Sequence, residues 1–198
     1  MDITTHYRIA RRALESEQTE GIRDRAAKAL LLVGTAAMDL SPMRFKHRHF
    51  YNFSRDYTYE QMEKLISKLQ KNDKLNLFNW FCLGGVLHYM MDYFCQVHQD
   101  SESYEAVSHM IYEKNLNRCM REDLANIKDY QNTHIGEDSL QDLDEIASWV
   151  ESLHAEYLDR DDQMEKDLAY AMFMTVQVFD CVRERELQAR LAGAVAAA

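Results

Sequence analysis

The sequence predicts an all-α fold, and two features carry that prediction. Its 198 residues include six glycines and one proline, so helix breakers are scarce. Ala, Leu, Met, Glu, Gln, Lys and Arg, which form helices readily, recur along its whole length. A chain of this length makes one domain with a substantial core, so residues 1–198 are read as a single multi-helix domain.

A first helix starts near Thr4 or Thr5, good N-cap residues, with Tyr7, Ile9, Ala10, Ala13 and Leu14 on its apolar side and Gly21 past its end. A second runs from about Ile22 to Ala37 through the apolar run ALLLVGTAAM, and Asp39 emerges just beyond it. Residues Leu40 to Tyr57 hold the single proline among basic and aromatic residues without a helical period, which reads as an irregular loop. Helical patterning resumes in YEQMEKLISKLQ, where Met62, Leu65, Ile66 and Leu69 form an i, i+3, i+4, i+7 stripe.

From Leu75 to about Val97 the chain is apolar on nearly every side, the pattern of a helix at the centre of a bundle. After a break near Gln99 to Ser101, another long helix passes through His109 and Glu113 toward Lys128. Two more follow, about Leu140 to Leu158 and Met164 to Leu191, and the low-complexity end, residues 193–198, reads as a frayed tail.

The formal net charge of −10 disfavours a nucleic-acid partner, because a polyanion is repelled unless bound metal supplies positive charge. Cys82, Cys95, Cys119 and Cys181 are far apart with no CxxC, so neither a thiolate zinc knuckle nor a dense disulfide framework is indicated. The opening MDITTHYRIARRAL has no apolar stretch of secretory-signal length, and no later segment reaches the roughly 20 apolar residues of a membrane span. The chain therefore reads as cytoplasmic, although a secreted form with its signal removed would read the same.

The polar residues of the central helix are its anomaly. His88 and Asp92 are four apart and share one face, and an unpaired carboxylate in such a setting costs several kcal/mol unless a cation compensates it. His98 follows six residues later, and the next helix repeats the arrangement with His109 and Glu113, giving H-x3-D-x5-H-x10-H-x3-E. Imidazole and carboxylate pairs on two facing helices make a metal site between them, with donors of the kind zinc prefers, and spacing alone carries the reading no further than a generic metal site. Taken singly, each of these residues reads more readily as a satisfied core histidine or a solvated acid. Five in this register point to metal.

The segment HYMMDYFCQVHQDSESYEAVSHMIYE resembles the signature of the zinc-dependent phospholipases C, typified by the bacterial phosphatidylcholine-hydrolysing enzyme and the catalytic domain of clostridial alpha-toxin. THYRIA resembles the segment with that family's first histidine and places His6; GTAAMD places Asp39; HRHFYNF places His49, with His47 the alternative loop ligand that HFYNF disfavours. The resemblance implies a fold of the phospholipase C and P1 nuclease type, with two or three zinc ions in a cleft. His49, His88 and Asp92 would hold one ion and His98, His109 and Glu113 a second. Asp92 would also bridge to a third, held by His6 and the N-terminal residue. Asp39 would orient the attacking water or act as its base.

It also implies a phosphodiester substrate, with a phospholipid head group the family default. The sequence departs from the family at three places. Met1-Asp2-Ile3 replaces the N-terminal tryptophan that ligates through its amine and carbonyl, Val97 replaces a proline before His98, and Met38 replaces one before Asp39. P1-type nucleases share the fold, but Glu113 and the short spacing favour the phospholipase branch. A zinc-stabilised scaffold without turnover is the alternative from another class. The oligomeric state is not legible.

Elsewhere, His134 and His154 read as surface residues. Tyr51, Tyr57, Tyr89 and Tyr112 read as head-group pocket or packing aromatics. The acidic stretch from Asp159 to Asp167 lacks the glycine and terminal glutamate of a calcium loop and reads as a solvated helix junction.

Overall fold

A computed structural model of the chain describes residues 1–15, 25–42, 48–71, 74–99, 105–135, 140, 142–160 and 164–196. The fold is all-α. The described residues form α1 (Ile3–Glu15), α2 (Arg25–Ala37), α3 (Tyr51–Gln70), α4 (Leu77–Asp92), α5 (Ala106–Glu122), α6 (Leu124–His134), α7 (Ile146–Leu158) and α8 (Met164–Ala196). Two short 3-10 turns, Gln96–His98 and Leu143–Glu145, lie among them. None of these helices is long and apolar enough to cross a membrane.

Helix α4 is the axis of the fold. Its start is fixed by a reciprocal cap, in which the Asn76 side chain accepts from Asn79 N at 2.9 Å and the Asn79 side chain accepts from Asn76 N at 3.1 Å. From Leu83 to Asp92 every residue is buried, as the all-round apolar pattern predicts. Its most extensive partner is α2, with α3 and α8 on other sides and α1 touching near the site. The α2–α4 contact is backbone against backbone: a Cβ on Gly34 would stand 2.1 Å from the Phe81 carbonyl oxygen, and one on Gly84 2.2 Å from that of Leu31. The two glycines are what lets the helices come this close.

Several boundaries differ from the sequence pattern, among them the helix expected from Leu140, which begins at Ile146 after the Leu143–Glu145 turn. Helix α3 begins at Tyr51, inside the stretch expected to be irregular. Its inward face opens with Ser54 and Thr58, whose hydroxyls bond back to the Phe50 and Ser54 carbonyls, so no apolar stripe announces the first two turns. The central helix ends at Asp92 rather than Val97, because Cys95 is extended and the chain re-enters as the Gln96–His98 turn. Gln99 Nε2 donates to the Tyr93 and Cys95 carbonyls at 2.7 and 2.9 Å, satisfying groups that the break exposes. The helix expected to pass from His109 to Lys128 is interrupted at Asp123, and α6 then packs against α8 with Ile127 buried.

Helix α8 runs 33 residues along the bundle and continues to Ala196, into the segment expected to fray. It touches α1 and α3 to α7, and through them it backs the end of α4 where the polar cluster lies. His47 and Gly21 fall outside the described residues.

Candidate metal centre

The fold brings together seven of the predicted donors and Asp39. His6 comes from α1 and Asp39 from the turn after α2, which is closed by bonds from Leu40 N to the Ala37 carbonyl and from Ser41 N to that of Met38. His49 lies just ahead of α3, His88 and Asp92 on the last turns of α4, His98 on the 3-10 turn, and His109 and Glu113 one turn apart on α5. His88, Asp92 and His6 have no exposed surface.

Asp92 is the hub. Its Oδ1 lies 3.1 Å from His6 Nε2, 3.1 Å from His98 Nδ1 and 2.5 Å from the amine of Met1. Its Oδ2 lies 3.0 Å from His49 Nδ1 and 3.5 Å from His88 Nε2. Asp39 Oδ1 closes that side, 3.4 Å from His49 Nδ1 and 3.7 Å from His88 Nε2. A second group forms where His98 Nε2 meets His109 Nε2 at 3.1 Å and Glu113 Oε1 at 3.3 Å, with His109 and Glu113 3.1 Å apart. The Met1 amine reaches this group too, 3.3 Å from His98 Nε2 and 3.2 Å from Glu113 Oε1.

These separations fit bound zinc. Four donors at about 2.0–2.1 Å from one ion stand about 3.3 Å from each other in a tetrahedron. Among the described residues, three triads of donors have their ligand atoms within 4.8 Å of one another: His6, His88 and Asp92; Asp39, His49 and His88; and His98, His109 and Glu113.

Hydrogen bonding fails where coordination would succeed. His88 Nδ1 donates to the Thr35 carbonyl at 2.8 Å and His6 Nδ1 to that of Asp2 at 3.1 Å, so each ring turns its Nε2 toward Asp92, and on the neutral His88 that nitrogen carries a lone pair. Asp92 Oδ2, His98 Nδ1 and His49 Nε2 are buried without hydrogen-bond partners. Lone pair facing carboxylate is repulsive unless a cation lies between them.

Charge agrees with that geometry. Burial alone would raise Asp92, but His98, the Met1 amine, His6 and His49 overturn it and hold the carboxyl well below its ordinary range. Burial and neighbouring His6 push His88 well below the ordinary imidazole value, which keeps it neutral as a ligand must be. Burial opposes ionisation of Glu113 as well, yet His109 and His98 keep it an anion. Asp39 moves the other way, raised chiefly by burial, and His49 is raised because Asp92 and Asp39 outweigh its burial.

The sequence model described as "Zinc dependent phospholipase C" matches residues 5–164. The chain belongs to that family. No curated protein and no solved structure matches it. The family match spans every grouped donor from His6 to Glu113.

Several residues outside the donor set are placed differently from their sequence reading. His154 is not a surface residue: it is 5% exposed, stacks on Tyr51 and donates from Nε2 to Gln99 Oε1 at 2.9 Å. His134 is exposed, as read. Nor is the Asp159 to Asp167 stretch solvated throughout, because Lys166 and Asp167 are buried. The four tyrosines divide. Tyr57 and Tyr89 line a cavity of about 550 Å³ with Met38, Leu40, Phe78 and Phe81, while Tyr51 packs on Tyr93 and Tyr112 bonds to Asp167.

The Met1 amine's reach to His98 and Glu113 had no signal in residue spacing, since a backbone group carries no letter. Asp167 did have one: it stands immediately ahead of the apolar run LAYAMFM on one helix.

Proposed function

We propose that the protein is a zinc-dependent phosphodiester hydrolase of the phospholipase C type. The observation that carries this reading is the convergence of His6, His49, His88, His98, His109, Glu113 and Asp39 around the buried Asp92, at separations that suit coordination and leave a ring lone pair facing a carboxylate oxygen. His49, His88 and Asp92 hold one ion, His98, His109 and Glu113 a second, and His6 with Asp92 and the Met1 amine a third. Bound zinc supplies Lewis acidity, which lowers the pKa of water and draws charge from phosphoryl oxygens.

The chain's own residues do the rest. Asp39 is a part-exposed acid beside His49 and His88, and its raised pKa suits a group that accepts a proton and gives it up again. His88 and His6 are fixed in tautomer by the Thr35 and Asp2 carbonyls, so they need no reorganisation. The apolar cavity begins at Met38 and Leu40, on either side of Asp39, and continues to Phe78 and Tyr89. It suits a substrate whose alcohol half is apolar, which favours a phospholipid over a nucleic acid.

A second role for Asp39 is favoured by its distances to His49 and His88, which make it a fourth donor to the first ion. One variant separates the two. Protein purified without chelator is analysed for zinc and assayed on a chromogenic choline phosphodiester, short-chain phospholipids and single-stranded DNA. Wild type is expected to hold at least two zinc ions and to cleave the lipid substrates. Asp39→Asn with full zinc and lost turnover marks a base, and Asp39→Asn with one ion missing marks a ligand. Metal-free wild type of unchanged stability would sink the proposal, and zinc-bound wild type that cuts nothing would leave the scaffold reading in its place.

A further inference from the structure

A second buried acid stands close to the metal centre without belonging to its donors. Asp167 lies on the first turn of α8, three residues past the end of the family match, and has no exposed surface. Its Oδ2 accepts from Gln96 N at 2.8 Å and from the Tyr112 hydroxyl at 2.9 Å, and its Oδ1 accepts from the Tyr157 hydroxyl at 2.8 Å. Those donors belong to the 3-10 turn, to α5 and to α7.

The first two donors adjoin zinc ligands. Gln96 is two residues ahead of His98 on the same turn, and Tyr112 immediately precedes Glu113. One carboxylate oxygen therefore joins the backbone that delivers His98 to the helix that delivers Glu113, whose donor atoms stand 3.3 Å apart. Hydrogen bonds to a charged acceptor are about twice as strong as neutral ones, so the join is stiff. The neighbouring Lys166 holds its ammonium 4.3 Å over the Tyr157 ring and donates to the Arg160 carbonyl at 3.2 Å, adding positive charge near Asp167.

We propose that Asp167 is a positioning residue for the zinc held by His98, His109 and Glu113, setting the separation of donor atoms that come from two different elements. The inference rests on the reading of those three side chains as ligands. A ligand is tuned by the groups that orient it, and losing such a group weakens metal binding by about 10- to 100-fold. Asp167 orients two ligands through the backbone and a neighbouring side chain, which places its effect at the lower end.

The test uses full-length protein stripped of metal and titrated with zinc against a chromophoric chelator, with cobalt(II) absorption reporting ligand geometry. Asp167→Asn is expected to weaken one ion by about 10-fold and to change the cobalt bands, leaving other ions unaffected. Tyr112→Phe should weaken the same ion more than Tyr157→Phe, because only Tyr112 stands on the ligand-bearing helix. The control is Glu186→Gln. Glu186 is also a buried acid of α8, but it accepts from Leu75 N at 3.0 Å, at the far end of α4.

Glu186→Gln should lower stability and leave zinc affinity and spectrum unchanged. Unaltered binding and spectrum in Asp167→Asn would overturn the inference, as would an equal loss in Glu186→Gln. Where Asp167→Asn does not fold, equal effects of the two tyrosine variants would overturn it. Wild type that binds zinc normally beside an unaffected Asp167→Asn sinks this inference alone, whereas wild type that binds no zinc sinks it together with the proposed function.

Discussion

Asp92 and Asp167 are both carboxylates without exposed surface, and their surroundings are opposite in kind. Around Asp167 stand a backbone N–H and two phenolic O–H groups, each with a hydrogen to give. Around Asp92 stand four imidazoles and the Met1 ammonium; the ammonium donates to Oδ1, but Oδ2 has no hydrogen-bond partner, and the neutral His88 beside it has already spent its N–H on the Thr35 carbonyl. A carboxylate among donors is satisfied by the protein itself. A carboxylate with one oxygen left without a donor and a ring lone pair facing it is only half satisfied, and a cation is the group that suits both. The same side chain, equally buried, is satisfied by its neighbours in one setting and suits a cation in the other.

The largest effect that tests this contrast is replacement of the hub. Removing one partner from a buried charge cluster costs about 3–5 kcal/mol. Asp92→Asn is therefore expected to weaken zinc by about 10²- to 10³-fold, at roughly 1.4 kcal/mol for each factor of ten. Chelation should lower the melting temperature of wild type sharply and that of Asp92→Asn little, as calorimetry with and without chelator would read. Equal responses to chelator would mean that Asp92 is as self-sufficient as Asp167.

Next in size is the helix contact that puts the hub in place. Gly84→Ala drives a Cβ to 2.2 Å from the Leu31 carbonyl and 3.0 Å from Gly34 Cα, and backbone on both sides leaves no flexible atom to give way. Overpacking of this kind costs about 3 kcal/mol or more, which for a chain of this size lowers the melting temperature by about 6–12 °C. Because α2 also carries the Thr35 carbonyl that orients His88, zinc affinity should fall with it. Gly85→Ala is the milder companion, since its Cβ would meet only the Met38 side chain at 3.2 Å. Equal losses in the two variants would show that the α2–α4 approach is not what matters.

The two carboxylates were also unequally legible in the sequence. Asp92 could be found because a helix reports its faces at fixed spacing, and a charge inside LHYMMDYFC has no solvent-facing side to occupy. The same periodicity located His88, His109 and Glu113. His6, Asp39 and His49 carry no such spacing, since they lie on separate elements, and resemblance to known zinc enzymes was what named them. Asp167 escaped because its charged neighbours in DRDDQMEKD look solvated, and burial from α5 and α7 is a tertiary fact. His154 escaped for the same reason, and the start of α3 because Ser54 and Thr58 occupy its inward face.

The smallest effect lies in pH, and it sharpens the contrast because two buried groups beside the His98 turn titrate with opposite consequences. Burial lowers His154 to about 4, so the fold favours the neutral ring, and stability is lost as pH falls from 6.5 toward 4. Burial raises Asp167 to about 6 against its three hydrogen-bond donors and Lys166, so the fold favours the protonated acid there, and stability is lost as pH rises from 3.8 toward 6. In wild type the two slopes oppose each other across most of that window.

Removing one should expose the other, and taking each variant's difference from wild type cancels the titration of the donor cluster itself. In metal-free protein, the urea midpoint of Asp167→Asn should rise with pH between about 4 and 6 more steeply than that of wild type, while that of His154→Gln should rise less steeply or fall. Parallel curves for all three proteins would mean that neither group's ionisation is coupled to folding. That outcome would place Asp167 in the same class as an exposed acid, contrary to its burial.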